Sequence, residues 1–311
     1  MRPLVHPGTK IHPRIISVPV RTRRATCELR PDRPLVEQLH ETLSKLGADS
    51  GYAEIHGGDL SPLSYCIPDV ATPEKALSFS EPRSHETAYL VYGSVTLGLR
   101  DGDPYMHSHC CWQEPNGALE GGHVWFETEP GAAAPFAAVT AVYGAQWNSA
   151  TDPETRMPVF TPTKRSIEMP DHDTLEADTI VARVLPNEDI TEAVLKVCHE
   201  YAFGRATLRA GLGSFIGATF IDRATGERRT VDGPATEVIA LVGDVRTVDG
   251  TRTARLSGTL VDRHGVLHAG ELVPGENLVA ATFELTLQRV DRLRGTPNPI
   301  ATPIPNEGET S

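Results

Sequence analysis

Three histidines within seventeen residues, His107, His109 and His123, give this sequence its clearest capacity for chemistry. They belong to YMHSHCCWQEPNGALEGGHVWF, residues 105–126, which also holds two adjacent cysteines and a glycine pair. Imidazoles so grouped suit a transition metal, zinc above all, at nitrogen–metal distances of roughly 2.0–2.1 Å. The alternative is a half-buried hairpin whose histidines are merely hydrogen-bonded. Glu114-Pro115-Asn116-Gly117 has Pro where a type I turn needs φ of about −65°, and Gly where a three-residue loop needs a left-handed residue. With 115–117 as the loop, Glu114 faces Ala118 and His109 stands opposite His123. Alternation puts His107 and Cys111 on that same face, while Ser108 and Cys110 point away. Opposed β-carbons are about 5 Å apart, so the three imidazoles converge. A two-residue loop at Asn116-Gly117 would instead set His123 against Cys110. Cys111 is either a fourth ligand or a small buried packing residue. Gly121, on the inward face, leaves room for water or substrate, and three protein ligands with an open position describe a catalytic zinc. His85 and Glu86, entering the preceding strand, are the expected general acid or base.

The elements that position these residues occur twice. ETAYLVYGSVTLGLRDG (86–102) and TEVIALVGDVRTVDG (236–250) both read as alternating strands containing a glycine. Each precedes a second strand, a tight turn ending in Gly117 or Gly265, and a glycine-containing strand; Asp262-Arg263-His264-Gly265 repeats the turn pattern. LVEQLHETLSKLG (35–47) and DITEAVLKVCHEYAFG (189–204) have helical apolar spacing and end at Gly47 and Gly204, where a C-terminal cap is expected. Asp189 and Thr191 are candidate N-caps. The fold class expected is α+β, two tandem units each made of a mostly antiparallel sheet packed with a helix. The expected boundaries are 16–148 and 179–291, joined by a proline-rich, weakly periodic connector over 149–178. The segment 292–311, rich in Pro and Thr, reads as an extended arm or disordered.

Composition sets the outer limits. The 311 residues are 39% hydrophobic and 23% charged, with a net charge of −12. Acids outnumber bases 41 to 29, which argues against non-specific nucleic-acid binding. Five cysteines, an odd number without repeated spacing, suit reduced thiols. No stretch approaches the roughly 20 apolar residues of a membrane span, and MRPLVHPGTKIHPRI lacks a signal-peptide core. A soluble cytoplasmic protein is expected. No Gly-x-Gly-x-x-Gly, phosphate loop or Gly-x-Ser-x-Gly elbow occurs, so no nucleotide cofactor is expected.

MHSHCCWQEPNGALEGGHV resembles the His-x-His, Gly, Gly-Gly-His signature of the plants-and-prokaryotes-conserved (PCC, or PPC) domain. LGSFIGATFIDRATGERRTVDGPATEVIALVGDV and ARLSGTLVDRHGVLHAGELVPGENLVAATFEL resemble the later strands of that domain, and the whole is similar to its tandem bacterial form over roughly 20–290. The resemblance implies an α+β fold and trimer-like packing, hence a homo-oligomer. Plant members join an AT-hook to the domain, so the family is often labelled DNA-binding. Aligning Gly117 with Gly265 sets His107, His109 and His123 over Arg255, Ser257 and Glu271, so only the first unit keeps the triad. Arg255 and Glu271 are either a structural ion pair or, if the second unit covers the first unit's site, contacts to a substrate carboxylate. The nearest basic run, RTRRA (21–25), lacks the glycine and proline of an AT-hook, and nucleic acid is not expected as a partner. The function expected is a zinc-dependent hydrolase or lyase acting on a small carboxylate-bearing metabolite. The alternative is a DNA-associated or regulatory PCC protein with a structural metal.

Overall fold

Burial alternates along Gly51–His56 but is continuous along Thr179–Val184 and from Val279 to Leu287, and a single long strand joins the two units. In a computed structural model, residues 2–70, 76–166 and 177–290 are described. The strand Ile15–Glu28 pairs through Ile15–Val20 with Thr179–Val184 of the second unit, and through Arg21–Glu28 with Phe136–Tyr143 of the first. The first residues of the expected first unit therefore lie in the second unit's sheet.

Outward from Phe136–Tyr143, the first unit continues through Gly51–His56, Ala88–Arg100, Asp103–Gln113 and Leu119–Val124, all antiparallel. The second repeats this order: Val279–Arg289, Arg205–Phe215, Thr236–Val248, Thr251–Val261 and Leu267–Leu272. Asn148 beside Leu99 is a parallel contact between Ala145–Thr151 and Ala88–Arg100. Each sheet carries one helix. Leu35, Leu39 and Leu43 of α1 (Leu35–Lys45) fill one core, and Ile190, Val194 and Val197 of α2 (Ile190–Glu200) fill the other. Asp189 caps α2 by accepting from the Thr191 and Glu192 amides. Gly47 ends α1 at φ 73°, as its position suggested, but α2 turns at Ala202 (φ 53°), two residues before the expected Gly204. With only these two helices among the described residues, the α+β fold is dominated by sheet.

The expected connector is corrected in its first part. Residues 149–151 complete the strand Ala145–Thr151, and Pro158–Lys164 pairs with it over seven residues. Prolines 158 and 162 are tolerated because this strand's ladder runs on one side, with Ala145–Thr151. Residues 167–176 and the expected tail 292–311 lie outside the described residues. All five cysteines are free. Among the described residues no helix is long and apolar enough to cross a membrane.

The turn between these two strands fastens the units together. Asp152 accepts from the amides of Glu154 and Thr155 and pairs with Arg183 of Thr179–Val184 at 2.6 Å; Glu154 pairs with Arg14 at 2.6 Å. Burial works against both carboxylates, yet hydrogen bonds and the facing guanidinium groups hold their pKa values below the ordinary range. Both are therefore groups with depressed folded-state pKa values. Their stabilisation is present at neutral pH and is lost as pH falls below about 4 towards the folded values. Asp152→Ala, which strands buried Arg183, is expected to cost about 3–5 kcal/mol in urea denaturation at pH 7, with a smaller difference from wild type at pH 3. An unchanged urea midpoint at pH 7 would contradict this account.

Candidate metal centre at the seam between the units

The 114–117 turn forms as its residues dictate. Gly117 sits at φ 87° and its amide donates to Glu114 O at 2.8 Å. Register then runs from Gln113 opposite Leu119 to His109 opposite His123. Ligand-capable nitrogens of His107, His109 and His123 lie within 4.8 Å of one another. The Nε2 atoms of His107 and His109 are 3.2 Å apart, close to the ~3.3 Å that tetrahedral bonds of about 2.0–2.1 Å require.

The second unit closes over this face. His107 Nδ1 faces Glu284 Oε2 at 2.8 Å, and His109 Nδ1 faces Val238 O at 2.9 Å. Those contacts occupy the outer nitrogens and turn the two Nε2 atoms towards each other, the orientation in which two imidazoles share one cation. Glu237 Oε2 lies 2.6 Å from His109 Nε2. Among the described residues, His123 Nδ1 is buried without a hydrogen-bond partner. Burial, then the charges of His107 and His109, hold His123 well below the ordinary imidazole pKa, which keeps it neutral and able to ligate. Burial also opposes a charge on His107, but Glu284 and Glu237 outweigh it and raise its pKa.

Glu237 and Glu284 were missed by the sequence reading. Glu284 carried a signal, since it lies in VAATFELTL, an otherwise uncharged run that is buried from Val279 to Leu287. Recognising what it faces required the packing of the two units.

Two expected features of the site are corrected. The room beside Gly121 is filled: a β-carbon there would meet Ile239 Cδ1 at 2.7 Å, Cys110 O at 3.0 Å and Leu267 Cδ2 at 3.0 Å. His85 and Glu86 are not beside the triad. His85 contacts Tyr65 Oη and Glu114 at 3.0 Å and Glu120 at 3.4 Å. Glu120 and its opposite residue Trp112 alternate away from His109, so His85 lies on the other face of the hairpin. Glu86 is exposed. Cys111 packs against Ile239 and Val261, as its packing reading implied.

Arg255 and Glu271 pair with each other at 2.8 Å, and Arg223 also reaches Glu271. This is the structural ion-pair reading, and neither residue lines the cleft that reaches His107 and His123. That cleft presents Phe79, Tyr105, Trp125, Phe160 and Ala281, and among the described residues no Lys or Arg lines it for a carboxylate.

Residues 174–291 match the family model of the Plants and Prokaryotes Conserved (PCC) domain. No curated protein matches this chain. Among solved structures the chain is similar to a metal-containing protein from Archaeoglobus fulgidus, at 18% identity over 46% of this chain and 95% of that one, TM-score 0.38. It is similar to a plant- and prokaryote-conserved protein from Pyrococcus horikoshii, at 16% identity over 47% and 96%, TM-score 0.37. A candidate DNA-binding protein from Ralstonia eutropha JMP134 is similar at 16% identity over 43% and 88%, TM-score 0.36.

The PCC match overturns the expectation of a zinc enzyme for a small carboxylate-bearing metabolite, in favour of the DNA-associated alternative. It equally corrects the expectation that a small-molecule substrate, and not nucleic acid, is the partner. The filled space at Gly121 and the displaced His85 supply the physical reasons.

Gly121→Val is expected to push Ile239 and Leu267 away and to cost about 1–3 kcal/mol. Adding Ile239→Ala should recover part of that loss in a double-mutant cycle. Full additivity of the two changes would show that the two side chains do not meet.

Proposed function

We propose that the chain is a PCC-type DNA-associated or regulatory protein in which a metal, zinc by its ligand types, is structural. The observation that carries the metal is charge balance. Glu237 and Glu284 are each 3% exposed, and among the described residues neither has a Lys or Arg partner. Their contacts are His107, His109 and the Thr96 hydroxyl. Two buried anions met only by imidazoles and a hydroxyl are costly, and one divalent ion held by His107, His109 and His123 offsets both. Its complete burial at His109 favours a clamp between the units over an open catalytic centre. The PCC match supports the DNA-associated part. A chain of net charge −12 must meet a duplex through locally grouped arginines, so its binding is governed by salt.

Elemental analysis of untagged, zinc-supplemented protein should find about one zinc per chain. His109→Ala should lose the ion and melt lower, and Cys110→Ala, on the opposite face, should retain it. Protein without any transition metal would end the metal assignment. Fluorescence polarisation with duplex DNA should show binding at 50 mM salt that weakens steeply at 200 mM. No binding at the lower salt would end the DNA assignment and leave the metal untouched.

A further inference from the structure

The face of the hairpin turned away from the triad carries a second group of metal-ligating side chains. Glu120 stands opposite Trp112, and Glu114 follows two residues on, so alternation sets all three on that face. The strand Leu63–Cys66 pairs with both Leu119–Val124 and Arg83–His85, which brings Tyr65 and His85 to the same place. Ligand-capable atoms of His85, Glu114 and Glu120 lie within 4.8 Å of one another. His85 Nε2 is 3.0 Å from Glu114 Oε1, 3.4 Å from Glu120 Oε2 and 3.0 Å from Tyr65 Oη. Tyr65 Oη is in turn 3.3 Å from Glu120 Oε2. Neighbouring ligands around one cation stand ~3.0–3.4 Å apart at bonds of about 2.1 Å.

Hydrogen bonding alone serves this group poorly. A single N–H on His85 Nε2 donates well to one oxygen, and three surround it. A cation set among them meets every one of these atoms at once. Charge points the same way, because two carboxylates share the site and among the described residues neither pairs with a Lys or Arg. Glu114 Oε2 accepts from the Asn116 side chain at 3.0 Å, which leaves Oε1 for His85. Beside the group, Trp112 is 0% exposed and edge-on to the Tyr65 ring, with ring centres 4.6 Å apart. Its indole N–H has no partner among the described residues. A buried donor of that kind suits a metal-bound water or a ligating carboxylate oxygen.

The second unit has a protein cation at the corresponding position. On the alignment of Gly117 with Gly265, Glu114 and Glu120 correspond to Asp262 and His268. His268 Nε2 meets Asp262 Oδ2 at 2.9 Å, and the Arg229 guanidinium reaches His268 Nδ1 at 3.1 Å. One carboxylate there has an imidazole with an arginine behind it, whereas two carboxylates in the first unit share one imidazole.

We propose that His85, Glu114 and Glu120, with Tyr65 beside them, bind a divalent cation of the manganese(II) class. Two carboxylates favour a hard ion, and the imidazole favours a transition metal over magnesium or calcium. The side chains of His85, Glu114 and Glu120 are 25%, 16% and 35% exposed, so water completes the coordination and the ion exchanges with solvent. An exchangeable ion adds nothing to the zinc that the triad retains on desalting. Once bound, the ion ties the strand Arg83–His85 to the hairpin turn. The proposal rests on neither the zinc nor the DNA assignment.

Desalted protein titrated with manganese(II) should take up about one ion per chain, read as loss of the free-ion signal in electron paramagnetic resonance. Glu114→Gln and Glu120→Gln should each weaken uptake at least about tenfold and melt as wild type does, since both side chains are partly exposed. His85→Asn serves as a third variant should either of those melt early. His109→Ala, altered on the opposite face, should take up the ion as wild type does. No uptake by the wild-type chain would overturn the proposal, and so would uptake undiminished in all three variants at the site. Loss of uptake in His109→Ala alone would place the ion at the triad and equally overturn it.

Discussion

Two carboxylates with no Lys or Arg partner among the described residues organise the middle of this molecule. Glu237 and Glu284 reach across from the second unit to His109 and His107, and neither is more than 3% exposed. An ionised carboxylate out of water costs several kcal/mol unless its charge is met. Whatever meets it also sets how the two units sit on one another. Around that demand the rest is arranged: the Ser94 and Thr96 hydroxyls donate across the seam, and Ile239 and Leu267 seal it. The long strand Ile15–Glu28 and the Arg183–Asp152 pair hold the units together from the other side.

A duplicated fold has been put to asymmetric use. Corresponding hairpins keep the same register, His109 opposite His123 and Ser257 opposite Glu271, yet among the described residues only the first faces the other unit. The buried copy holds imidazoles, whose neutral form tolerates burial and whose nitrogens accept a cation. The uncovered copy holds Arg255 and Glu271, which form a solvated ion pair at little cost. Sequence divergence between the halves therefore follows the difference in burial.

The same asymmetry bears on chemistry. A catalytic metal needs an open coordination position and a proton-transfer group within reach. Here the space beside Gly121 belongs to Ile239, and His85 stands with Glu114 and Glu120 on the far face of the hairpin.

Much of the local structure was legible in the chain itself. Pro115 and Gly117 fix the turn, the turn fixes register, and register brings His109 opposite His123, because side-chain alternation leaves no other choice. The paired strands and both helices follow from apolar periodicity and from Gly47 and Asp189 at their ends. The strand Pro158–Lys164 was hidden because its prolines read as loop, and only its one-sided pairing accommodates them. What lies across the seam was likewise not legible. Local patterning states which face of a hairpin carries the histidines, and it contains no term for what that face packs against. Glu237, Glu284, Ile239 and Leu267 are more than 100 residues from the triad in the chain. Their approach depends on docking one folded unit on another, an outcome of shape and buried charge that tertiary structure alone decides.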